Sequence, residues 1–196
     1  MSKPLALISG LIIIAAGFLV APFVLSSCSK QELPIHGTSI EFSMTDTDGK
    51  SFGTNDLKGK IWIANFIFTS CPSQCPRMTE AMAKIYRSYA LDDKVHFVSF
   101  TVDPDRDTPA VLKAYADAHK INTAKWSFLT APLAVLTKVS VEGLKVGTTE
   151  NPLFHNDRFV LIDDKLRIRG YYDALDPEVL SKLFDDIATL LKSITP

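Results

Sequence analysis

The longest apolar stretch of the chain lies close to its N-terminus. Residues 4–27 carry no charged side chain, and residues 5–25 are almost wholly apolar. A run of this length can span a bilayer. Because Lys3 precedes it, the positive-inside rule predicts a cytoplasmic N-terminus with the rest of the chain on the outer side. We expect residues 1–27 to be a signal peptide or a membrane anchor.

Beyond residue 27, short apolar runs alternate with amphipathic stretches. The apolar runs at residues 61–68 and 95–102 predict two buried strands. Thr108 and Pro109 are typical of the cap and first turn of a helix that ends near His119. The other predicted elements are a β-hairpin (40–44 and 50–52), a helix (76–90), a strand (126–129), a helix (131–144), a second hairpin (159–162 and 166–171) and a terminal helix (177–193).

This order predicts the fold class and the domain organisation. Alternating strands and helices favour an α/β domain whose central mixed sheet is covered by helices on both faces. The first hairpin would be an N-terminal extension of that domain. We interpret residues 28–36 as a polar tether and residues 37–196 as one domain, without internal repeats.

Composition narrows the possible functions. The chain has 196 residues, 46% of them hydrophobic, which is enough for one well-buried domain and an appendage. A formal net charge of −1 and a pI near 6.4 give no reason to expect a nucleic-acid partner. Three cysteines are too few for a disulfide scaffold, and their odd number indicates separate roles.

The first cysteine follows the apolar N-terminal run directly. Leu25-Ser26-Ser27-Cys28 resembles the lipobox of bacterial lipoproteins, in which the signal is cleaved before a cysteine that then carries the lipid. The alternative is an uncleaved transmembrane helix with an incidental cysteine. Both alternatives place the domain on the extracytoplasmic face of a bacterial membrane, an oxidising compartment.

The other two cysteines, Cys71 and Cys75, lie where the first buried strand gives way to a helix. Free N–H groups and the helix dipole at such a position favour thiolates, so both sulfurs should be acidic and reactive. The spacing of four residues places both on one face of the helix. That arrangement permits a redox-active disulfide or two soft ligands for one metal ion, while a passive structural disulfide is the plainer alternative.

Reactive cysteines at this point of an α/β chain are typical of a thioredoxin-like fold. A thioredoxin-type enzyme, however, has two residues between its cysteines and a proline just before its third core strand. Here three residues separate the cysteines, and the stretch before the corresponding strand contains His155 and no adjacent proline. Two thiolates and one imidazole would suit copper or zinc.

Three motifs together resemble the Sco/SenC family. They are Phe-Ile-Phe-Thr-Ser-Cys-Pro-Ser-Gln-Cys-Pro at 66–76, Val-Asp-Pro-Asp-Arg-Asp-Thr-Pro at 102–109, and a lone His155 before Phe-Val-Leu-Ile-Asp at 159–163. The resemblance covers roughly residues 37–194. It implies a membrane-anchored copper-binding protein of thioredoxin-like fold that assists assembly of cytochrome c oxidase. It also implies that Cys71, Cys75 and His155 bind the copper ion.

Several functions remain open for such a protein. The first is a copper chaperone, not itself an enzyme, that supplies the binuclear copper centre of oxidase subunit II or another copper-site protein. The second is a thiol–disulfide oxidoreductase that reduces the cysteines of that target. A redox or copper sensor and a peroxiredoxin-like activity are further alternatives. All could use Cys71 and Cys75, whereas only the metal-binding functions require His155.

Other residues of the right chemical type have plainer interpretations. Three histidines are expected to be structural or exposed, namely His36, His96 and His119. Met78 and Met82 have the spacing of core residues on a helix, although thioethers can bind copper. Asp103 and Asp157 could orient His155 or tune the site, but turn-forming or capping roles explain them equally well.

Overall fold

The computed structural model describes residues 32–148 and 157–194. The predicted anchor, Cys28 and His155 lie outside these residues. The strands are β1 (Gly37–Thr38), β2 (Ser43–Thr45), β3 (Ser51–Gly53), β4 (Ile61–Ile67), β5 (Val95–Thr101), β6 (Trp126–Leu129), β7 (Arg158–Ile162) and β8 (Arg167–Asp173). The helices are α1 (Thr54–Leu57), α2 (Gln74–Tyr89), α3 (Pro109–Ala118), α4 (Leu133–Lys138) and α5 (Pro177–Ile194).

Six strands form one mixed sheet in the order β1-β8-β7-β4-β5-β6. β4, β5 and β6 run parallel to one another, whereas β7 is antiparallel to both β4 and β8. The parallel pairs are joined by crossovers that contain α2 and α3, as parallel neighbours require. The arrangement confirms the predicted thioredoxin-like fold with a central mixed sheet.

The central strand β4 is buried along its whole length, and its side chains point alternately into two hydrophobic cores, one on each face of the sheet. Ile61, Ile63 and Ile67 face one side, where they pack in a cluster with residues of α2, α3 and α5. Trp62, Ala64 and Phe66 face the other side, in a cluster that also includes residues of α1, α4 and the β2–β3 hairpin. Helices therefore cover both faces, as the sequence predicts.

The N-terminal hairpin also agrees with the prediction. β2 and β3 form a separate two-stranded antiparallel sheet. In the turn between them, Oδ1 of Asp46 accepts hydrogen bonds from the backbone N–H groups of Asp48 and Lys50 at 2.9 and 2.8 Å. Gly49 adopts a left-handed conformation with φ of 75°, which favours glycine at this position.

Most boundaries lie within two residues of the predicted ones, and three further differences change the description of the domain. The first strand of the hairpin begins at Ser43 rather than at residue 40. The helix predicted over 131–144 consists of α4 and a π-helical turn, Val139–Gly143, in which the N–H of Leu144 bonds to the carbonyl of Val139 at 2.7 Å. Hydrophobic periodicity does not distinguish an α-helix from a helix that ends in one wider turn.

The third difference concerns the predicted tether. The compact unit of the domain begins at Glu32, five residues before the predicted boundary at 37. The N–H of His36 bonds to the carbonyl of Ile168 at 2.9 Å, and β1 pairs with β8 at the edge of the sheet. Residues 32–36 are therefore held on the domain. Among the helices of residues 32–148 and 157–194, none is long and apolar enough to cross a membrane.

Candidate functional site

The turn that carries the cysteines is fixed by a buried aspartate. β4 ends at Ile67, and residues 68–73 lead into α2. The Asp107 carboxylate accepts hydrogen bonds from the backbone N–H and the hydroxyl of Thr69, at 3.1 and 2.5 Å. It also accepts one from the Thr101 hydroxyl at the end of β5, at 2.6 Å. Asp107 thus ties the start of the cysteine turn to the neighbouring strand.

Sequence reasoning did not single out Asp107. The residue precedes Thr108, whose hydroxyl accepts a hydrogen bond from the N–H of Val111 as the predicted cap of α3. An acidic residue in a short turn between a buried strand and a capped helix was the available signal. Nothing in the sequence indicates that its side chain reaches Thr69, 38 positions earlier.

Cys71 and Cys75 lie in contact at the start of α2. Cys71 is in the turn, where its N–H donates to the carbonyl of Phe68 at 3.2 Å. Cys75 is in the first turn of α2, and its N–H donates to Sγ of Cys71 at 3.4 Å. Both are free thiols, with 7% of Cys71 and 1% of Cys75 exposed. The pair can therefore form a disulfide or supply two sulfurs to one soft ion.

The two thiols have opposite acidities. Burial has the largest single effect on Cys71 and alone would raise its pKa. Backbone N–H groups of Cys75, Ser73 and Gln74 and the Cys75 thiol favour the thiolate, and together they lower the pKa of Cys71 below its usual value. This direction agrees with the prediction that the start of the helix acidifies a cysteine.

For Cys75 the predicted acidity is wrong. Burial, helped by the Cys71 thiolate and the Asp157 carboxylate, raises the pKa of Cys75 to about 12, although a hydrogen bond from the Phe68 backbone opposes it. The sequence indicated the N–H groups at the start of α2 but not the depth of the second sulfur in the core. Cys71 is therefore the more acidic thiol of the pair.

A hydrogen bond connects the cysteine helix to β7. Nε2 of Gln74, beside Cys75, donates to Oδ2 of Asp157 at 3.0 Å. The carbonyl of Asp157 accepts from the N–H of Ala174, just after β8. Asp157 therefore lies beside the cysteine pair, although it is 82 positions after Cys75 in the sequence. His155 lies outside the described residues.

The other candidate residues make packing or turn contacts that explain them without a functional role. Met78 and Met82 are fully buried core residues, as predicted. Asp103 belongs to the turn before α3, where its carbonyl accepts from the N–H groups of Arg106 and Asp107. His96 is buried and stacks on Phe52, which leaves it a structural role.

Two further histidines make ordinary ring contacts. His36 is exposed and contacts the ring of Tyr171, and His119 contacts the ring of Tyr115. Within residues 32–148 and 157–194, no three acidic, histidine or cysteine side chains are grouped so that they could hold a metal ion. The cysteine pair could supply two sulfur ligands.

The chain is similar to members of a known protein family over most of its length. The profile of the SCO1/SenC family matches residues 31–192. The SCO1 protein homologue of Bacillus subtilis (strain 168) is 28% identical over 177 residues, which cover 86% of this chain and 90% of that protein.

Solved structures of related proteins share the fold. A SCO1/SenC family lipoprotein from Bacillus anthracis strain Ames is 35% identical, with a TM-score of 0.72 over 81% of this chain and 97% of the other. BsSco, described as a Sco-family cytochrome c oxidase assembly protein with a disulfide switch, is 26% identical, with a TM-score of 0.71 over 83% and 98%. Copper-bound ScoI from Bradyrhizobium japonicum is 27% identical, with a TM-score of 0.60 over 74% and 97%.

Proposed function

Because the chain belongs to the SCO1/SenC family, we propose that it is a copper chaperone that helps to assemble the copper centre of cytochrome c oxidase. The observation that carries this proposal is the free pair of Cys71 and Cys75 at the start of α2. Thiolate sulfurs are preferred ligands of Cu(I), and backbone N–H groups already favour the thiolate of Cys71. Copper is the cargo of this site in the proposed function.

The proposed ligands are Cys71, Cys75 and His155. Asp157, two positions after His155 in the sequence, is bonded to Gln74 beside Cys75, and this placement supports His155 as the third ligand. Two sulfurs and one imidazole nitrogen can serve both Cu(I) and Cu(II). The copper-bound ScoI of Bradyrhizobium japonicum, with its related fold, supports copper as the metal.

The proposed location is the extracytoplasmic face of a bacterial membrane. Cys28 would be the lipidated N-terminus, and the apolar run before it the cleaved signal. The lipoprotein described for Bacillus anthracis supports this part of the proposal. On that face of the membrane the protein would meet its proposed partner, oxidase subunit II.

Mass spectrometry of the mature protein tests the anchor. A lipid-modified Cys28 at the N-terminus is the expected result. An intact N-terminus at Met1 or Ser2 would show that residues 5–25 remain as a transmembrane anchor instead. The extracytoplasmic location would stand in that case.

Substitution of His155 by alanine tests the metal function. The change removes a nitrogen ligand and leaves both sulfurs and the start of α2 in place. We expect Cu(II) affinity to fall further than Cu(I) affinity, because Cu(I) is satisfied by two thiolates whereas Cu(II) favours imidazole. Oxidase assembly should fail in cells that carry the variant.

His36→Ala is the matched control, because His36 is exposed and contacts the ring of Tyr171 beside the edge strand β1. It should retain copper binding and support assembly. A His155→Ala protein that binds no Cu(II) and yet supports full assembly would contradict the chaperone function and favour thiol chemistry.

Thiol–disulfide exchange is the second candidate function, and the unequal acidity of the two thiols favours it. A low-pKa Cys71 would attack the target disulfide, and the buried Cys75 would then resolve the mixed disulfide. The disulfide switch described for BsSco supports such chemistry at this pair. This activity should survive His155→Ala, because exchange depends on the thiols and on access to them.

A further inference from the structure

The carboxylate of Asp157 is held at the cysteine pair by a neutral partner. Gln74, the first residue of α2, donates a hydrogen bond from Nε2 to Oδ2 of Asp157 at 3.0 Å. The backbone of Asp157 is itself fixed, because its carbonyl accepts from the N–H of Ala174. The side-chain amide of Gln74 orients the carboxylate without neutralising its charge.

The second oxygen of this carboxylate is unused. Oδ1 of Asp157 is buried and has no hydrogen-bond partner among residues 32–148 and 157–194. A buried carboxylate oxygen without a partner raises the free energy of the folded protein. A cation bound close by would offset part of that cost.

The negative charge of Asp157 acts on the cysteine pair. Gln74, whose amide holds the carboxylate at 3.0 Å, is next to Cys75 in the first turn of α2, so the charge lies close to the sulfurs. A negative charge at this position favours a cation bound by the two sulfurs. It favours a divalent cation more than a monovalent one, because the interaction scales with the charge of the ion.

We propose that Asp157, held in place by Gln74, sets the preference of the copper site for Cu(II) over Cu(I). Asp157 is a positioning and charge-setting residue in this inference, not a third ligand. The two sulfurs bind either ion, and the carboxylate adds attraction that the doubly charged ion feels more strongly. The inference rests on the proposed copper binding and deepens it.

Asp157→Asn tests the charge alone, because asparagine keeps the shape of the side chain and an oxygen that can accept from Gln74. The dissociation constants of Cu(II) and Cu(I) are measured separately, each against a competing chelator. We expect the preference for Cu(II) over Cu(I) to fall about tenfold. The Cu(II)/Cu(I) potential should rise accordingly, by about 59 mV for each tenfold change.

Two substitutions of Gln74 separate the charge from its support. Gln74→Lys places an ammonium group against Asp157, so it should neutralise the carboxylate and reproduce the effect of Asp157→Asn. Gln74→Met removes the hydrogen bond and leaves the charge, so it should give a smaller shift in the same direction. Asp105→Asn removes one negative charge from an exposed position in the turn before α3 and should leave the ratio unchanged.

The outcomes distinguish this inference from the proposed function. If wild-type protein binds copper but Asp157→Asn leaves the ratio of the two affinities unchanged, the inference is overturned and the chaperone function stands. Equal weakening of both ions would also overturn it, because it would show a purely structural role. Failure of the wild-type protein to bind either ion would overturn the chaperone function and the inference together.

Discussion

An aspartate is buried at each end of the central sheet, but the groups that donate hydrogen bonds to the two carboxylates differ in charge. Asp107 lies at the end where the cysteine turn leaves β4. Asp163 directly follows β7 and lies at the opposite end of the sheet, as the pairing of Ile162 with Trp62 near the start of β4 shows. At most 1% of either residue is exposed. Their partners are what differ.

Asp163 is surrounded by positive charge. Its carboxylate accepts from Nε of Arg167 at 2.7 Å and from Nη1 of Arg169 at 2.9 Å. Backbone N–H groups of Lys165 and Arg167 donate to its other oxygen. Burial alone would raise the pKa of Asp163, but these donors together lower it. Arg169 also donates to the carbonyl of Leu33, so the cluster holds the N-terminal segment on the sheet.

The groups that donate hydrogen bonds to the Asp107 carboxylate are, in contrast, neutral. They are the N–H and hydroxyl of Thr69 and the hydroxyl of Thr101. Asp157 is held in a similar way by the Gln74 amide. Basic side chains therefore face the buried carboxylate at the end away from the cysteines, whereas neutral donors face the carboxylates at the cysteine end. This contrast supports the proposal that the cysteine end binds a cation.

The largest expected effect comes from breaking the charged cluster of Asp163, Arg167 and Arg169. Asp163→Ala removes the buried charge partner of Arg169, whose side chain is 2% exposed, and leaves it only a longer ion pair of 3.7 Å with the exposed Glu32. We expect the free energy of unfolding to fall by about 3–5 kcal/mol, as for other buried ion pairs that lose one partner. Chemical denaturation followed by circular dichroism measures it.

The neighbouring Asp164→Ala is the control, because this side chain is only half-buried. A surface substitution of this kind should change stability by no more than about 0.5 kcal/mol. If Asp163→Ala were equally mild, the cluster would not be what stabilises the far end of the sheet, and the contrast between the two ends would be lost.

A smaller loss of stability is expected at the cysteine end. Asp107→Ala leaves the N–H and hydroxyl of Thr69 and the hydroxyl of Thr101 without their acceptor, but it leaves no buried charge unpaired. We expect a loss of about 2–3 kcal/mol in the free energy of unfolding. The turn should also loosen, so alkylation of Cys71 at pH 7 should slow because its N–H donors are no longer fixed.

Asp105→Ala is the matched control in the same turn, since Asp105 is exposed. It should change neither stability nor the alkylation rate. Asp163→Ala should leave the alkylation rate unchanged as well. An Asp107→Ala protein with normal Cys71 reactivity would show that the cysteine turn does not depend on this carboxylate.

Much of the fold followed from the sequence because periodicity is a local signal. The buried strands, the capped start of α3 and the terminal helix lie where the pattern predicts them. The two-residue edge strand β1 was missed, since two residues carry no period. The π-helical turn after α4 was missed because its apolar spacing matches that of an α-helix over one turn.

The site could be predicted only in part. Spacing and position correctly predicted that Cys71 and Cys75 lie together at the start of a helix, and they predicted the correct direction for the pKa of Cys71. The depth of Cys75 and the partners of Asp107 depend on packing between distant segments, which one sequence does not reveal. His155 as a ligand stays a prediction.

The smallest expected effect concerns His96, at the end of the sheet away from the cysteines. Burial there disfavours the charged form of its ring. His96 stacks on Phe52, and its Nε2 lies 3.0 Å from the Ser127 hydroxyl. Burial, with the nearby positive charges of Lys60 and Lys125, lowers the pKa of His96 from 6.5 to about 4. Between pH 6.5 and about pH 4, the unfolded chain binds a proton at His96 that the folded protein does not bind. The free energy of unfolding therefore decreases as the pH is lowered through this range, and the full stability is present above pH 6.5.

The free energy of unfolding should drop by about 2 kcal/mol between pH 8 and pH 5, and His96→Gln should lose that dependence. His36→Gln, at an exposed position, should retain it. An unchanged slope in His96→Gln would mean that His96 accepts its proton in the folded state, and that this end of the sheet tolerates a charge without a partner.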